Sequence, residues 1–347
     1  MIDTVCIKYK FPDINNYNEC YSVIDNLTRE TSCRLHKIKK KTYITTALAS
    51  MGLSEIRFFK QKNFKGNIIQ LTIKPARFIV RDSYLRLSDR DEDYKVIENI
   101  FNHIIDYINN HAEETLLPRL VDWKVYRIDY AFDIEIPDVQ KYINLFKRGF
   151  VPKGFRHYKN YETSIYMTSK NCRINFYDKL TQLKSKYGLT DNDIEDELEH
   201  LPTGILRLEI QCDNKKIQQI KEKYNLPENS IEYLWNETIA FDIISHYIKA
   251  IIGEEDCYTL QETLRKLQAK HGTGRAFGLC SRLITTLATY SDANLNEIKK
   301  NCQNKNEFKR LIFKIRRAKV NPITLEAICD DTDDLKVLIN PCRLIQY

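Results

Sequence analysis

The chain has 347 residues, enough for two or three domains, with 43% hydrophobic residues and a formal net charge of +7. Its few Gly and Pro residues (10 and 9) argue against long disordered linkers, and no apolar run reaches the ~18 residues that a membrane span needs. The ten cysteines form no CxxC pair and the N-terminus has no apolar signal-peptide core, so reduced thiols in the cytoplasm are expected. No GxxxxGK[ST] loop is present, so a P-loop ATP-binding site is not expected.

The first 75 residues are rich in β-like runs, and Pro75 ends the last of them. They predict either a second small sheet or part of the sheet that follows, with strands at 4–9, 42–46, 55–60 and 67–74. An apolar stripe of helical spacing from Val96 to Ile108 predicts a helix over 94–110. Further strands are predicted at 124–135, 163–168, 172–179 and 204–212, with a helix at about 138–148.

The composition changes after Pro227, where helical patterns replace strands. The predicted helices cover 229–252, 259–271, 275–289, 293–303 and 305–319. From Leu260 to Val320 the chain has fourteen Lys and Arg against four Asp and Glu. Such a module is typical of nucleic-acid binding, although a solvated helix face is the alternative interpretation. The candidate DNA contacts are Lys309, Arg310, Lys314, Arg316 and Arg317 here, and Arg173 in the preceding sheet.

These patterns predict an α+β fold with an antiparallel or mixed β-sheet backed by helices, followed by an all-helical C-terminal domain. The predicted organisation is an N-terminal α+β region over 1–120, a core over 121–225 and a basic helical domain over 226–347.

Three strands place charged and polar groups on one face and apolar groups on the other. The first is Tyr126-Arg127-Ile128-Asp129-Tyr130-Ala131-Phe132-Asp133, the second is Arg173-Ile174-Asn175-Phe176-Tyr177-Asp178-Lys179, and the third is Leu206-Arg207-Leu208-Glu209-Ile210. If the strands are neighbours, one sheet surface carries three carboxylates, two arginines, a lysine and a tyrosine. Metal-assisted phosphodiester chemistry with a tyrosine nucleophile needs such a set.

These motifs, in this order, resemble the Rep_trans family of rolling-circle plasmid replication initiators, whose core is shared by relaxases of integrative conjugative elements. The resemblance covers roughly residues 65–215 and includes a shorter version of the strand before the tyrosine strand, ending at Tyr166. The family usually has an arginine two residues before the tyrosine, where this chain has Asn175. The seven histidines form no HxH pair, which argues against endonucleases that bind metal through two histidines.

The resemblance implies a Rep-like core in which Tyr177 nicks DNA and forms a 5′-phosphotyrosine, with Tyr166 as the reserve nucleophile. Lys179 and a divalent cation would lower the pKa of the phenol and neutralise the phosphate. Arg127 and Arg207 would clamp the scissile phosphate or hold the carboxylates in place. The hard oxygen ligands for Mg²⁺ or Mn²⁺ would be Asp129, Asp133 and Glu209.

The alternative for the two aspartates is a surface pair, with Asp129 and Asp133 salt-bridged to Arg127 and Arg207, an arrangement that is common and stabilises little. Asp178 lies on the face opposite Tyr177 and is interpreted as structural.

The function expected is site-specific DNA nicking and strand transfer that initiates rolling-circle replication of a plasmid or phage. A conjugative relaxase and a non-catalytic origin-binding regulator are the alternatives. The partners implied are double-stranded origin DNA and the nicked single strand, a host helicase and a host polymerase, with no membrane. Initiators of this kind often act as dimers, so a homodimer is left open.

Overall fold

The computed structural model describes residues 1–39, 41–60, 66–80, 87–88, 91–158, 161–198, 200, 202–290, 293–328 and 336–345. The strands are β1 (Ile2–Lys10), β2 (His36–Lys39), β3 (Thr42–Thr45), β4 (Leu53–Phe59), β5 (Ile68–Ile73), β6 (Lys124–Glu135), β7 (Arg156–Tyr158), β8 (Ser164–Thr168), β9 (Cys172–Asp178), β10 (Ile205–Asp213), β11 (Cys257–Tyr258) and β12 (Val337–Leu338). The predicted α+β class is confirmed.

The helices follow the same chain order. They are α1 (Ile14–Thr28), α2 (Ala76–Ile79), α3 (Asp91–Asn109), α4 (Val139–Arg148), α5 (Lys179–Tyr187), α6 (Asp191–Leu198), α7 (Asn214–Tyr224), α8 (Ile231–Leu234), α9 (Glu237–Ile252), α10 (Leu260–His271), α11 (Arg275–Thr289), α12 (Leu295–Asn301), α13 (Lys305–Arg317) and α14 (Pro341–Leu344). Within the described residues, no helix combines the length and apolar content needed to cross a membrane.

The chain divides into two compact units. Unit 1 comprises Met1–Ala131 and Ile210–Ala240, and unit 2 comprises Phe132–Glu209 and Phe241–Tyr347. The chain enters unit 2 within β6 and returns to unit 1 within β10. The division therefore differs from the predicted three-domain organisation with boundaries after 120 and 225.

Unit 1 is a sheet with the strand order β2-β3-β4-β5-β1-β6, followed by the end of β10. Strand β1 pairs antiparallel with both β5 and β6, so the N-terminal strands belong to the same sheet as β6 and do not form a second one. Tyr17 of α1 packs edge-on against Phe58 of β4, with ring centroids 5.7 Å apart. This helix was not predicted from the sequence, although Asp13 caps it by accepting a hydrogen bond from the Asn16 amide.

Unit 2 contains the end of β6 and then β10-β9-β8-β7 in spatial order. Helix α4 covers the apolar side of this sheet, where the Phe146 and Phe176 rings lie 4.7 Å apart. A second core joins α10, α11 and α13 through buried side chains that include Leu267, Ile284 and Ile315.

The predicted C-terminal helices are present, with two differences. The antiparallel pair β11–β12 means that the region is not all-helical. The first predicted helix, 229–252, is interrupted between α8 and α9, where the Asn236 side chain accepts a hydrogen bond from the Ile239 amide. That side chain caps the start of α9.

Candidate active site

The polar face of strand β9 presents Tyr177. In the β8–β9 ladder Tyr177 lies opposite Ser164 and Asn175 lies opposite Tyr166, so these side chains share one face of the sheet. The other face carries Phe176, which packs on α4. The predicted alternation along this strand is therefore confirmed.

The Tyr177 hydroxyl donates a hydrogen bond to Oε2 of Glu209, 3.3 Å away. Glu209 lies on β10, which is next to β9 in unit 2. Only 6% of Tyr177 is exposed, so its ring is held by packing while its oxygen meets a carboxylate. The structure thus brings together the predicted nucleophile and one of the predicted metal ligands.

Arg207 and Asp133 form a two-pronged ion pair in unit 2. Nε of Arg207 donates to Oδ1 of Asp133 at 2.6 Å, and Nη2 donates to Oδ2 at 2.5 Å. Arg207 is completely buried, whereas a quarter of the Asp133 side chain is exposed. A guanidinium with no exposed surface cannot clamp a phosphate in this arrangement, so Arg207 holds the carboxylate in place instead.

A second carboxylate–guanidinium pair lies in unit 1. Arg127 donates from Nε to Oδ1 of Asp129 at 2.9 Å and from Nη2 to Oδ2, and the Gln211 amide donates to Oδ2 at 3.3 Å. Burial raises the pKa of the Asp129 carboxyl, while Arg127 and Gln211 oppose the rise. Gln211 was not predicted, although it continues the alternation Arg207, Glu209, Gln211 along β10.

Both aspartates therefore form the salt bridges that were predicted as the alternative to metal ligation. Asp129 is only 1% exposed, which makes its pair a buried one and not the surface pair expected.

Lys179 does not lie on the strand. It is the first residue of α5, it is 5% exposed, and its Nζ donates to Oε1 of Gln182 at 3.3 Å. The strand ends one residue earlier because Asp178 caps the helix, accepting a hydrogen bond from the Thr181 amide at 3.1 Å. The expectation that Lys179 continues the face of Tyr177 is corrected, and Asp178 has the structural role expected.

Two further predicted residues share the tyrosine face. Tyr166 lies opposite Asn175, and Arg173 lies opposite Thr168 with its side chain exposed. Arg173 is thus a cation on the same strand face as Tyr177, where a phosphate could meet it.

The predicted metal ligands do not form a metal site as arranged. Asp129 and Asp133 direct their carboxylate oxygens to Arg127 and Arg207, and Glu209 accepts from Tyr177. In the part of the chain that the structure describes, no group of three or more His, Cys, Asp or Glu residues is placed to hold a metal ion. The assignment of Mg²⁺ or Mn²⁺ to these residues stays a prediction.

Helix α13 separates the predicted DNA-binding cations into two classes. Lys309, Arg310 and Arg317 are exposed and Lys314 is half-exposed. Arg316 is turned inward: its Nε lies 3.6 Å from a Glu255 carboxylate oxygen and its guanidinium lies 5.8 Å from the Phe150 ring centroid. Burial lowers the pKa of Arg316, and Glu255 opposes this shift.

No protein-family model matches the sequence, and no curated protein matches it either. Among solved structures, the chain is similar to one described as the rolling circle replication initiator protein from Geobacillus stearothermophilus. The identity is 9% and the TM-score 0.34, over 72% of this chain and 84% of that one. At this level the likeness carries no argument about function, which is inferred below from the side chains.

Proposed function

We propose that the protein is a DNA nickase and strand transferase that initiates rolling-circle replication of a plasmid or phage through a covalent tyrosine intermediate. The observation that carries the proposal is the hydrogen bond from the Tyr177 hydroxyl to the Glu209 carboxylate. A phenol is a weak nucleophile at neutral pH, and a carboxylate in contact with its oxygen can accept its proton during attack.

In the proposed reaction Tyr177 Oη attacks a DNA phosphorus atom while Glu209 takes the phenolic proton. The bond from phosphorus to the 3′ oxygen breaks, and that oxygen takes up a proton from solvent to become a free 3′-OH. The 5′ phosphate remains on the tyrosine. The phosphoester is kept in the covalent intermediate, so a later strand can displace the tyrosine and be joined.

The flanking charges have separate roles in this proposal. Arg173 is exposed on the tyrosine face and would contact the DNA backbone. Arg207 would position Asp133 and the strand beside the site, since its guanidinium is buried. The proposed attack by Tyr177 uses Glu209 and no metal ion, because Asp129 and Asp133 are salt-bridged to arginines.

The proposed biological setting follows the sequence resemblance. The substrates would be double-stranded origin DNA and the nicked strand, the 3′-OH would prime a host polymerase, and a host helicase would unwind the duplex. The same chemistry would serve a conjugative relaxase.

A non-catalytic DNA-binding regulator is the second candidate. The low exposure of Tyr177 favours it, because a nucleophile must reach a phosphate and only 6% of this residue is exposed. The two candidates differ in one product, the covalent protein–DNA adduct.

Covalent trapping tests the proposal. The protein is incubated with supercoiled candidate-origin DNA and Mg²⁺ or Mn²⁺, and an adduct that survives SDS is mapped by mass spectrometry. We expect the adduct on Tyr177, its loss in Tyr177→Phe, and DNA binding within a few-fold of the unmodified protein. Tyr166→Phe is the matched control, since Tyr166 lies on the same sheet face and should leave the adduct intact. An adduct that persists in Tyr177→Phe would move the nucleophile elsewhere.

A further inference from the structure

Helix α13 exposes an aromatic ring on its outer face. Phe313 is 62% exposed, whereas the neighbours Phe308, Leu311, Ile312 and Ile315 are buried and anchor the helix. A single exposed apolar residue needs no explanation by itself. What distinguishes Phe313 is its surroundings.

The ring stands between two exposed cations at helical spacing. Lys309 precedes it by four residues and Arg317 follows it by four, so all three occupy one stripe of the helix, about 6 Å apart along the axis. The Arg317 guanidinium lies 5.9 Å from the centroid of the Phe313 ring. We call these three residues the Phe313 stripe.

The charge around the stripe is strongly positive. From Leu295 to Val320, which spans α12 and α13, the chain has nine Lys and Arg against two Glu. One of the two, Glu307, pairs with Arg310 at 3.3 Å. The other, Glu297, accepts a hydrogen bond from the Asn294 amide in the cap of α12. The surface therefore favours a polyanion.

We propose that the Phe313 stripe binds single-stranded DNA, with Phe313 stacked on an unpaired base and Lys309 and Arg317 in contact with the flanking phosphates. Single strands expose base faces, and sequence-tolerant single-strand sites combine cations with aromatic stacking. An Arg guanidinium is also planar, so the contact between Arg317 and Phe313 can extend the stacking surface. In a duplex the base faces are covered by stacking. The Phe313 ring could then bind only by inserting between two base pairs, which requires that they be unstacked.

This inference deepens the proposed function, because a nickase must retain the displaced strand, and it assigns that substrate to a specific surface. It can be tested independently of nicking. Trp123 and Trp235, the two tryptophans of the chain, are both buried, so a Phe313→Trp variant carries one exposed indole that reports stacking.

The experiment uses the full chain and an unstructured oligonucleotide without origin sequence, compared with a hairpin duplex of the same length. We expect the single strand to quench Phe313→Trp emission more than the duplex does. Phe313→Ala should weaken single-strand binding by about 5- to 100-fold. Tyr290→Ala is the matched control, since Tyr290 is 53% exposed in the same unit and should leave affinity unchanged. Lys309→Gln and Arg317→Gln should each reduce the salt slope by about 0.7.

Unchanged single-strand affinity in Phe313→Ala would overturn the proposal. An equal loss of duplex affinity would assign the ring to a duplex wedge and would also overturn it. The binding assay uses an oligonucleotide without origin sequence, so its outcome does not depend on nicking. Absence of a Tyr177 adduct in the trapping assay would contradict the proposed nickase activity but would leave the single-strand affinities measured here unchanged.

Discussion

Tyr177 and Glu209, on adjacent strands of unit 2, are joined by a hydrogen bond of 3.3 Å from the phenol to the carboxylate. The hydrogen bond joins a phenol, which is a weak nucleophile while it keeps its proton, to a carboxylate that can accept that proton. Because Tyr177 is almost completely buried, its ring has little freedom to leave this contact.

Replacing the base while keeping a hydrogen-bond acceptor isolates its chemical role. Glu209→Gln should slow adduct formation by about 10²- to 10⁴-fold, the usual contribution of general-base catalysis, and leave DNA binding unchanged. Rates of adduct formation at saturating DNA provide the measurement. Glu135→Gln, at the exposed end of β6, is the control that should retain the full rate. If the Glu209→Gln variant forms the adduct as fast as the unmodified protein, Glu209 has no part in the mechanism.

The ion pair between Arg207 and Asp133 should respond asymmetrically to the loss of either partner. Asp133→Asn deprives a fully buried guanidinium of its carboxylate and should cost about 3–5 kcal/mol of unfolding free energy. Arg207→Met leaves an aspartate that already reaches solvent and should therefore cost less. Urea unfolding midpoints of the two variants give the comparison. Equal losses of unfolding free energy in the two variants would mean that the burial of Arg207 does not determine how much the ion pair stabilises the fold.

Binding of a divalent cation at the predicted aspartates would require a change in their present salt bridges. Mg²⁺ or Mn²⁺ would have to compete with a guanidinium for Asp129 or Asp133. The sequence-based assignment of Mg²⁺ or Mn²⁺ therefore requires that EDTA abolish adduct formation and that recovery need a high concentration of added cation, while DNA binding persists in EDTA. Adduct yield across a cation titration is the measurement. Full adduct formation in EDTA would show that the three carboxylates do not act through a metal.

The two adjacent arginines of α13 should behave differently. Arg317→Gln should reduce the slope of single-strand affinity against salt by about 0.7, as expected for one lost phosphate contact on a single strand. Arg316→Gln should leave that slope unchanged and instead lower stability by about 1 kcal/mol, because Arg316 faces Glu255. Binding isotherms at several salt concentrations, with thermal melts, separate the two effects. A reduced slope for Arg316→Gln would place its guanidinium on the DNA.

His200 provides a pH-dependent contact with the end of β6. Its Nε2 lies 3.0 Å from Oε2 of Glu135, and this hydrogen bond raises the pKa of His200 above its usual value near 6.5. The folded state then binds the proton more tightly than the unfolded state. The stabilisation is thus complete below about pH 6.5 and is lost as the pH rises through the raised pKa.

The His200–Glu135 contact is tested by measuring Tm from below pH 6.5 to above the raised pKa of His200. We expect a small fall in the unmodified protein, because both groups are exposed, and a flatter profile in His200→Gln and in Glu135→Gln. Identical profiles in all three proteins would mean that the contact does not form in solution.

Local alternation was enough to predict which side chains share a face. The pattern around Tyr177 and Glu209 identified both as members of a polar sheet surface, because apolar neighbours such as Phe176 and Leu208 must enter a core. The same reasoning failed at Lys179, where the Asp178 cap starts a helix and ends the alternation. A side-chain cap of this kind competes with strand geometry.

The sequence was enough to name Arg207 as an alternative salt-bridge partner of Asp133, but it could not decide between that role and phosphate binding. Nothing in the sequence distinguishes Arg207 as the partner of Asp133, 74 residues away, from a free phosphate-binding arginine. The choice depends on burial, which is fixed only when the strands are assembled. Helix α1 was missed for a different reason: polar residues separate its buried Tyr17, Cys20 and Ile24, and the surrounding strand signals obscured their helical spacing.

The buried pair of Arg207 and Asp133 also fixes the register of β10 against the end of β6. A slip of one residue would turn Arg207 away from Asp133 and, at the same time, turn Glu209 to the opposite side of the sheet from Tyr177. The alignment that pairs Arg207 with Asp133 is therefore also the alignment that gives the tyrosine its proton acceptor. A chain with β10 misaligned would lose both the buried ion pair and the proton acceptor of Tyr177. Misfolded molecules of this kind would therefore be unstable as well as inactive.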